Sequence, residues 1–295
     1  MLANDPPIDQ PAQPAGPPPS PASDSWPAGE SSWGWGTRIT IACALVVILL
    51  YTFATPAGLF AKADIVAYAI CHRIPSHSLA LEGRPLPLCA RCTGTFLGAA
   101  LALGALFSFR RRASDLPPVP ILLVLLSFTG LLALDGLNSY LTLFPGGQPL
   151  YPPHNALRLL TGTLHGLMLG TILYPVAAGT LLRDHLPEPA IENWSQLARL
   201  TVFTLGVAAL ALTGWPVALW VAAVLSTLGI LLVLATVYAV MFAIATGQMN
   251  RVVRRRDAIA PLLAGLALGL LMLGTIAAAR YGLTGTLTGF PGLTD

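Results

Sequence analysis

Long apolar runs, separated by prolines, glycines and arginines, are the feature that most constrains the fold of this chain. Several contain about 18 residues or more, enough to cross a hydrocarbon core of roughly 30 Å as a helix. In lipid only helices and closed barrels satisfy every backbone polar group. The runs therefore predict an all-α, multi-span integral membrane protein with about seven transmembrane helices in the lipid bilayer. The predicted spans cover about residues 38–60, 93–109, 119–143, 156–182, 200–214, 217–247 and 258–281.

The composition supports the same class of protein. Hydrophobic residues make up 55% of the chain and charged residues only 10%, whereas an average soluble domain carries roughly a quarter charged residues. Nearly all of the 16 basic residues are arginines, and most lie at the ends of apolar runs. This pattern reports membrane topology and argues against a nucleic-acid partner.

Three regions are predicted along the chain. Residues 1–36 are rich in Pro, Ala, Ser and Gly and are expected to form a disordered tail, because they cannot bury enough apolar surface to offset their ordering entropy. The tail lacks the basic start of a secretory signal, so the first apolar run is expected to be a retained span. Residues 37–183 form the predicted membrane core, with its motif-bearing region at 68–170. Residues 184–295 are predicted to add further transmembrane helices, which serve as scaffold or as a homo-oligomer surface.

Arginine clusters predict the orientation of the spans. Arg110, Arg111 and Arg112 follow span 2, and Arg251 and residues 254–256 follow span 6. Since basic residues accumulate on the cytoplasmic side, both clusters are expected there. Alternation then predicts a multi-pass protein of the cell membrane, with a cytoplasmic N-terminus and an extracytoplasmic connection between spans 1 and 2.

That connection, CHRIPSHSLALEGRPLPLCARC from residue 71 to residue 92, contains the best candidate site. Three cysteines and a histidine suit tetrahedral zinc, so Cys71, His72, His77, Cys89 and Cys92 are candidate metal ligands. The Cys89-x-x-Cys92 pair, with Arg91 inside it, begins span 2, where a helix N-terminus is expected to lower thiol pKa values. Cycling between dithiol and disulfide, or a purely structural role, are the alternatives.

Polar residues on spans 3 and 4 are predicted to face the same side of the membrane as this connection. Asp135, Asn138 and Thr142 share one helical face by their spacing, and Asn155, Arg158, Gly162 and His165 share another. An unpaired charge in a membrane is costly. An ion pair between Asp135 and Arg158 is therefore expected across the hairpin.

Glycines on spans 2 and 4 predict where the helices approach most closely. Small residues at a regular spacing allow the backbones of two membrane helices to touch. The predicted packing residues are Gly94, Gly98 and Gly104 on span 2 and Gly162, Gly166 and Gly170 on span 4.

Four motifs in residues 68–170 resemble an uncharacterised family of small bacterial and archaeal integral membrane proteins, a domain of unknown function. They are CHRIPSHS, PLCARCTGTFLG, LDGLN and NALRLLTGTLHG. The family signature is CH-x-x-P followed by P-x-C-A-R-C-x-G. His77 and Asn138 depart from the family pattern, which expects arginine and glutamine there. The resemblance implies a membrane fold and a shared site, and it implies no reaction.

The sequence therefore predicts a multi-pass membrane protein with an extracytoplasmic Cys/His site. Zinc is the expected metal, and Arg91, Asp135, Asn138, Asn155, Arg158 and His165 are the expected supporting residues. One alternative is a thiol oxidoreductase that uses Cys89 and Cys92, with a quinone as acceptor; its layout is analogous to enzymes of the vitamin K epoxide reductase type. Another is a transporter or channel with Asp135, Arg158 and His165 in its pathway.

Overall fold

The fold is an all-α bundle. A computed structural model describes residues 34–110, 112–142 and 146–287. The helices are α1 (Trp35–Ala54), α2 (Leu59–Ile70), α3 (Ala90–Phe109), α4 (Val119–Leu141), α5 (Asn155–Leu181), α6 (Trp194–Leu212), α7 (Pro216–Ala245) and α8 (Ile259–Thr284). Within the described ranges seven helices, α1 and α3 to α8, are long and apolar enough to cross a membrane. The predicted fold class is confirmed. The tail predicted for residues 1–36 lies outside the described residues, apart from its last three.

The first predicted span is broken in two. Thr55 follows α1 and Gly58, with a φ of 100°, precedes α2, so the chain turns around Pro56 as the sequence indicates. Lys62 in α2 reaches back to α1, and its Nζ donates to the carbonyl of Thr52 at 2.6 Å. This ammonium group supplies a partner that the last carbonyls of a helix otherwise lack. The result is a short second helix, which ends at the first cysteine of the candidate site.

Backbone contact between α3 and α5 forms the centre of the bundle. A Cβ placed on Gly98 would lie 2.3 Å from the Thr163 carbonyl oxygen, and one on Gly166 would lie 1.9 Å from that of Thr95. Real Cβ atoms do not approach so closely, so only glycine fits. The contacts advance in the same direction along both helices, which shows that α3 and α5 run parallel. Gly94, Gly162 and Gly170 belong to this contact as predicted, whereas Gly104 faces open space and does not.

The C-terminal helices pack on this centre by the same device. A Cβ on Gly229 of α7 would lie 2.2 Å from the Phe96 carbonyl of α3, and one on Gly265 of α8 would lie 2.1 Å from the Ala235 carbonyl of α7. Helix α1 in turn packs along α8. Close backbone approach therefore extends across the bundle from α5 to α8.

Short extended segments close the two ends of the bundle. At one end, which we call the cysteine end, β1 (Ala80–Leu81) and β2 (Arg84–Pro85) form an antiparallel hairpin between α2 and α3. At the other, the arginine end, β3 (Ala113–Asp115) and β4 (Leu186–Pro189) pair in parallel. The segment after α5 also pairs there with the segment before α8, through the Arg183 N–H and the Val252 carbonyl at 3.0 Å. The arginines that follow α3 and α7 therefore lie at the same end.

Replacement of Gly98 by alanine should destabilise the bundle by about 1–3 kcal/mol, because the new methyl group overlaps the backbone of α5. The matched control is Gly104→Ala in the same helix, where nothing lies within 4 Å of the added Cβ. That control should be neutral or slightly stabilising, since alanine favours a helix over glycine. Thermal unfolding in detergent measures both variants. Equal unfolding midpoints would contradict the close α3–α5 contact.

Candidate functional site

Three cysteines meet where α2 ends and α3 begins. Cys71 follows the last residue of α2, Cys89 precedes the first residue of α3, and Cys92 lies in the first turn of α3. Their Sγ atoms all lie within 4.8 Å of one another. Cys71 and Cys89 are 1% and 2% exposed, and the backbone N–H of Cys89 donates to the Cys71 Sγ at 3.4 Å. The fold thus brings together the three cysteines that the sequence predicts as one site.

Ion pairs hold the segment between Cys71 and Cys89 in a loop whose two ends lie close together. Asp64 in α2 accepts from Arg73 at 2.8 Å and from Arg84 at 2.5 Å, one arginine on each arm of the connection. Arg73 has a φ of 55°, a left-handed conformation that turns the chain directly after α2. This ion-pair cluster holds the connection against α2 and thereby places Cys89 next to Cys71.

Hydrogen bonds among the thiols shift the pKa values of Cys71 and Cys89 in opposite directions. Hydrogen bonds from the Cys89 and Cys92 thiols lower the pKa of the Cys71 thiol, because they stabilise its thiolate. The hydrogen bond with Cys71 raises the pKa of the Cys89 thiol, and burial raises it further. Close sulfur neighbours and burial therefore oppose the lowering of the Cys89 pKa that is expected from the helix N-terminus.

The two histidines of the connection lie beside each other and outside the cysteine group. The His72 and His77 rings pack edge to face with 5.9 Å between their centroids. Among the described residues the group of candidate metal ligands contains only the three cysteines. Neither histidine therefore belongs to the sulfur group in the structure, and their part as metal ligands stays a prediction.

Asp135 pairs with Arg91, the residue between Cys89 and Cys92. The Arg91 Nη2 lies 2.5 Å from the Asp135 carboxylate and also donates to Ser139 at 3.1 Å. The Tyr151 hydroxyl donates to the other carboxylate oxygen at 3.3 Å. Asp135 is 1% exposed, so this partner is needed to offset the cost of its burial. The predicted Asp135–Arg158 pair is wrong: among the described residues no carboxylate oxygen lies within 4 Å of Arg158.

Two asparagines fasten the loops of the cysteine end. The Asn138 side chain accepts from the Leu150 N–H at 2.7 Å and donates to the Tyr151 carbonyl at 3.0 Å. The Asn155 side chain donates to the Ser76 carbonyl at 3.0 Å, which ties the cysteine connection to α5. In the structure both side chains hold backbone groups of the cysteine end, and Asn155 also accepts from Arg158.

Arg158 and His165 occupy different surroundings. Arg158 is buried and donates to the Asn155 side chain at 2.9 Å, and its charge lies within electrostatic range of Cys89. His165 lies deeper in α5 and exchanges a hydrogen bond with Thr129 of α4 at 3.2 Å. Arg158 therefore belongs to the surroundings of the cysteines, whereas His165 joins two helices. Thr142 follows the end of α4 and is exposed, so it does not extend the Asp135–Asn138 face.

Arg280 is the supporting residue that sequence reasoning missed. From α8 its Nη1 donates to the carbonyls of Tyr68 and Cys71 at 2.5 and 2.7 Å, and its guanidinium lies 4.3 Å from the centre of the Tyr68 ring. These contacts hold the end of α2, and hence Cys71, against α8. A single cation near the end of the last apolar run was the available signal, because charges in membrane helices are costly unless they have a role.

A double-mutant cycle should assign the partner of Asp135. Arg91→Gln and Asp135→Asn each break the same buried pair, so their combined cost should fall short of the sum by about 1–3 kcal/mol. The matched cycle with Arg158→Gln and Asp135→Asn should give a smaller coupling, because those groups do not touch. Thermal unfolding in detergent reports both cycles. A larger coupling to Arg158 would contradict the observed pairing.

Comparison with known proteins bears on one part of the chain. No curated protein and no solved structure matches it. Residues 71–172 match a family described as "Predicted membrane protein (DUF2085)". The matched region starts at Cys71 and includes α3, α4 and most of α5, so it contains all three site cysteines together with Arg91, Asp135 and Arg158. This match confirms the resemblance noted from the motifs: residues 71–172 are similar to an uncharacterised family of membrane proteins, a domain of unknown function.

Proposed function

We propose that Cys71, Cys89 and Cys92 bind one zinc ion. The mutual approach of their sulfurs, all within 4.8 Å, carries the proposal. In a tetrahedral site with Zn–S bonds of about 2.3 Å the sulfurs are separated by about 3.8 Å. The upper limit of 4.8 Å on the observed sulfur separations exceeds that spacing by about 1 Å. All-sulfur sets suit zinc better than the oxygen-seeking ions magnesium and calcium.

Charge around the site favours a bound anionic centre. Three thiolates and one divalent zinc ion together carry a single negative charge, which is costly to bury unless a cation lies nearby. Arg158 is 5% exposed and lies within electrostatic range of Arg91, Asp135 and Cys89. It forms no ion pair among the described residues. The thiolate centre and this guanidinium thus compensate each other.

Three protein ligands leave one coordination position for water or a substrate atom. Structural zinc sites are usually closed by four protein ligands, whereas catalytic sites keep one position open. Among the described residues the group of ligand atoms contains no histidine, so a zinc ion held by the three thiolates would take its fourth ligand from outside this group. A zinc ion held in this way supplies a Lewis acid. This chain contributes the three thiolates, while Arg280 and the Asp64 cluster fix the backbone on either side of them.

The same sulfur geometry keeps a thiol oxidoreductase as the second candidate. Three thiols in mutual reach allow two of them to be oxidised to a disulfide while a quinone takes up the two electrons and two protons as quinol, and the third thiol can then attack that disulfide. That chemistry uses two sulfurs at a time, whereas the zinc ion uses all three at once. The zinc measurement below separates the two candidates.

We infer further that the cysteine end is extracytoplasmic. The arginine end carries Arg110, Arg112, Arg183 and Arg251 in its connections and Arg199 in the second turn of α6, the pattern of a cytoplasmic face. Outside the cytoplasm free thiols are prone to oxidation. A bound metal would keep them reduced.

Purified protein should contain about one zinc ion per chain by elemental analysis. Cys71→Ser, Cys89→Ser or Cys92→Ser should each lose the ion, because two thiolates do not complete a site. Cys43→Ser is the matched control: Cys43 is exposed on α1, away from the three sulfurs, and its replacement should leave the zinc content unchanged. His72→Ala and His77→Ala should also retain the ion.

Other outcomes of the same measurement would overturn the zinc proposal. Metal-free protein with a disulfide that forms and breaks reversibly, and that passes electrons to a soluble quinone, would establish the oxidoreductase. Metal-free protein with three inert thiols would leave packing as their role. Loss of zinc in the Cys43→Ser control would show that the ion binds elsewhere.

Orientation is tested by single cysteines placed at the two ends. In intact cells a membrane-impermeant maleimide should label Ser76→Cys, at the exposed tip of the cysteine connection, without lysis. Asp184→Cys, exposed at the arginine end, should react only after lysis. Both cysteines are introduced into the Cys43→Ser variant. That variant without an introduced cysteine is the control, because it measures how much the reagent labels the three site cysteines. The opposite pattern would place the site in the cytoplasm.

A further inference from the structure

We propose that a groove between α3 and α6 at the arginine end binds one anionic phospholipid. The groove has a volume of about 630 Å³. The last turn of α3 and the first turns of α6 form its sides, and Ala190 and Ile191 close it toward the arginine end. It lies far from the cysteines and does not depend on their function.

The walls fit an acyl chain. Leu106 and Phe109 of α3 face Leu200 and Phe203 of α6 across the groove. Phe109 is 85% exposed and Phe203 is 50% exposed, so the groove is open on the side of these rings. In a bundle of membrane helices such an opening faces the hydrocarbon of the bilayer. A lipid chain can therefore enter the groove from the membrane.

Guanidinium groups stand at the polar mouth of the same groove. Arg110 is already committed, since Glu192 accepts from it at 2.5 Å and Glu188 lies at 3.4 Å. Arg199 is exposed, and no carboxylate of the described residues pairs with it. Its Nε donates to the Ser195 carbonyl at 3.2 Å, which directs the guanidinium along α6 and leaves its terminal nitrogens for a ligand.

The groove combines apolar walls with a guanidinium group at one end. It should therefore select a molecule that joins an apolar chain to an anionic group. Phosphatidylglycerol and related lipids carry an anionic phosphate at the membrane surface and hydrocarbon below it. Phosphatidylcholine has the hydrocarbon but no net charge, and inorganic phosphate has the charge but no hydrocarbon. The position of Arg199 above Phe203, about one turn along α6, matches the anionic phospholipid.

Native mass spectrometry of the full chain in detergent tests this site with added phosphatidylglycerol and phosphatidylcholine. Wild-type protein should bind phosphatidylglycerol about fivefold more tightly than phosphatidylcholine. This is the effect expected of one basic residue at an anionic headgroup. Arg199→Gln should abolish that preference. Arg183→Gln, an exposed arginine at the same end that does not line the groove, should retain it. Ala105→Trp should weaken binding of both lipids by filling the channel.

Three outcomes would overturn the proposal. Equal affinity of the wild-type protein for the two lipids would remove the role of charge. If Arg199→Gln and Arg183→Gln reduced the preference for phosphatidylglycerol equally, that preference would come from the total positive charge of the arginine end and not from the groove. Full competition by inorganic phosphate would replace the lipid with a soluble anion.

Discussion

Backbone contact between α3 and α5 is the constraint on which the cysteine end depends. At the glycine positions the two helices leave no room for a single methyl group, so their rotation and relative height are fixed. Cys89 and Cys92 begin α3, and Asn155 and Arg158 begin α5. The contact therefore sets the position of the sulfurs relative to the buried guanidinium. It also places Asn155 within reach of the cysteine connection.

Three arginines of the apolar bundle, Arg91, Arg158 and Arg280, each contact a different polar partner. Arg91 pairs with the buried Asp135 carboxylate, and Arg280 donates to backbone carbonyls at the end of α2. Among the described groups the Arg158 guanidinium has only the neutral Asn155 side chain as its hydrogen-bond partner. A charged group in low dielectric requires compensation. The proposed thiolate centre supplies it, which links the metal site to the stability of the bundle.

The site joins parts of the chain that lie far apart in sequence. Cys71 comes from the end of α2, which Arg280 holds against α8, whereas Cys89 and Cys92 lie at the start of α3, at the centre of the bundle. An ion bound to all three would connect the outer pair of helices, α1 and α2, with that centre. Because α2 is short and follows a break, it depends on such contacts for its position.

The sequence by itself determined the membrane class, the seven apolar helices, the break near Pro56 and the grouping of three cysteines, because hydrophobic length, proline and glycine act locally. It also indicated all five glycines of the α3–α5 contact, since their spacing repeats along one helical face, and added a sixth, Gly104, that lies outside it. Only the tertiary structure decided that Asp135 meets Arg91 instead of Arg158, that the histidines leave the sulfur group, and that Arg280 holds Cys71. Spacing along one helix shows which residues share a face. Which residues that face meets depends on the rotation and position of every helix in the bundle, and only the packing of the whole bundle fixes these.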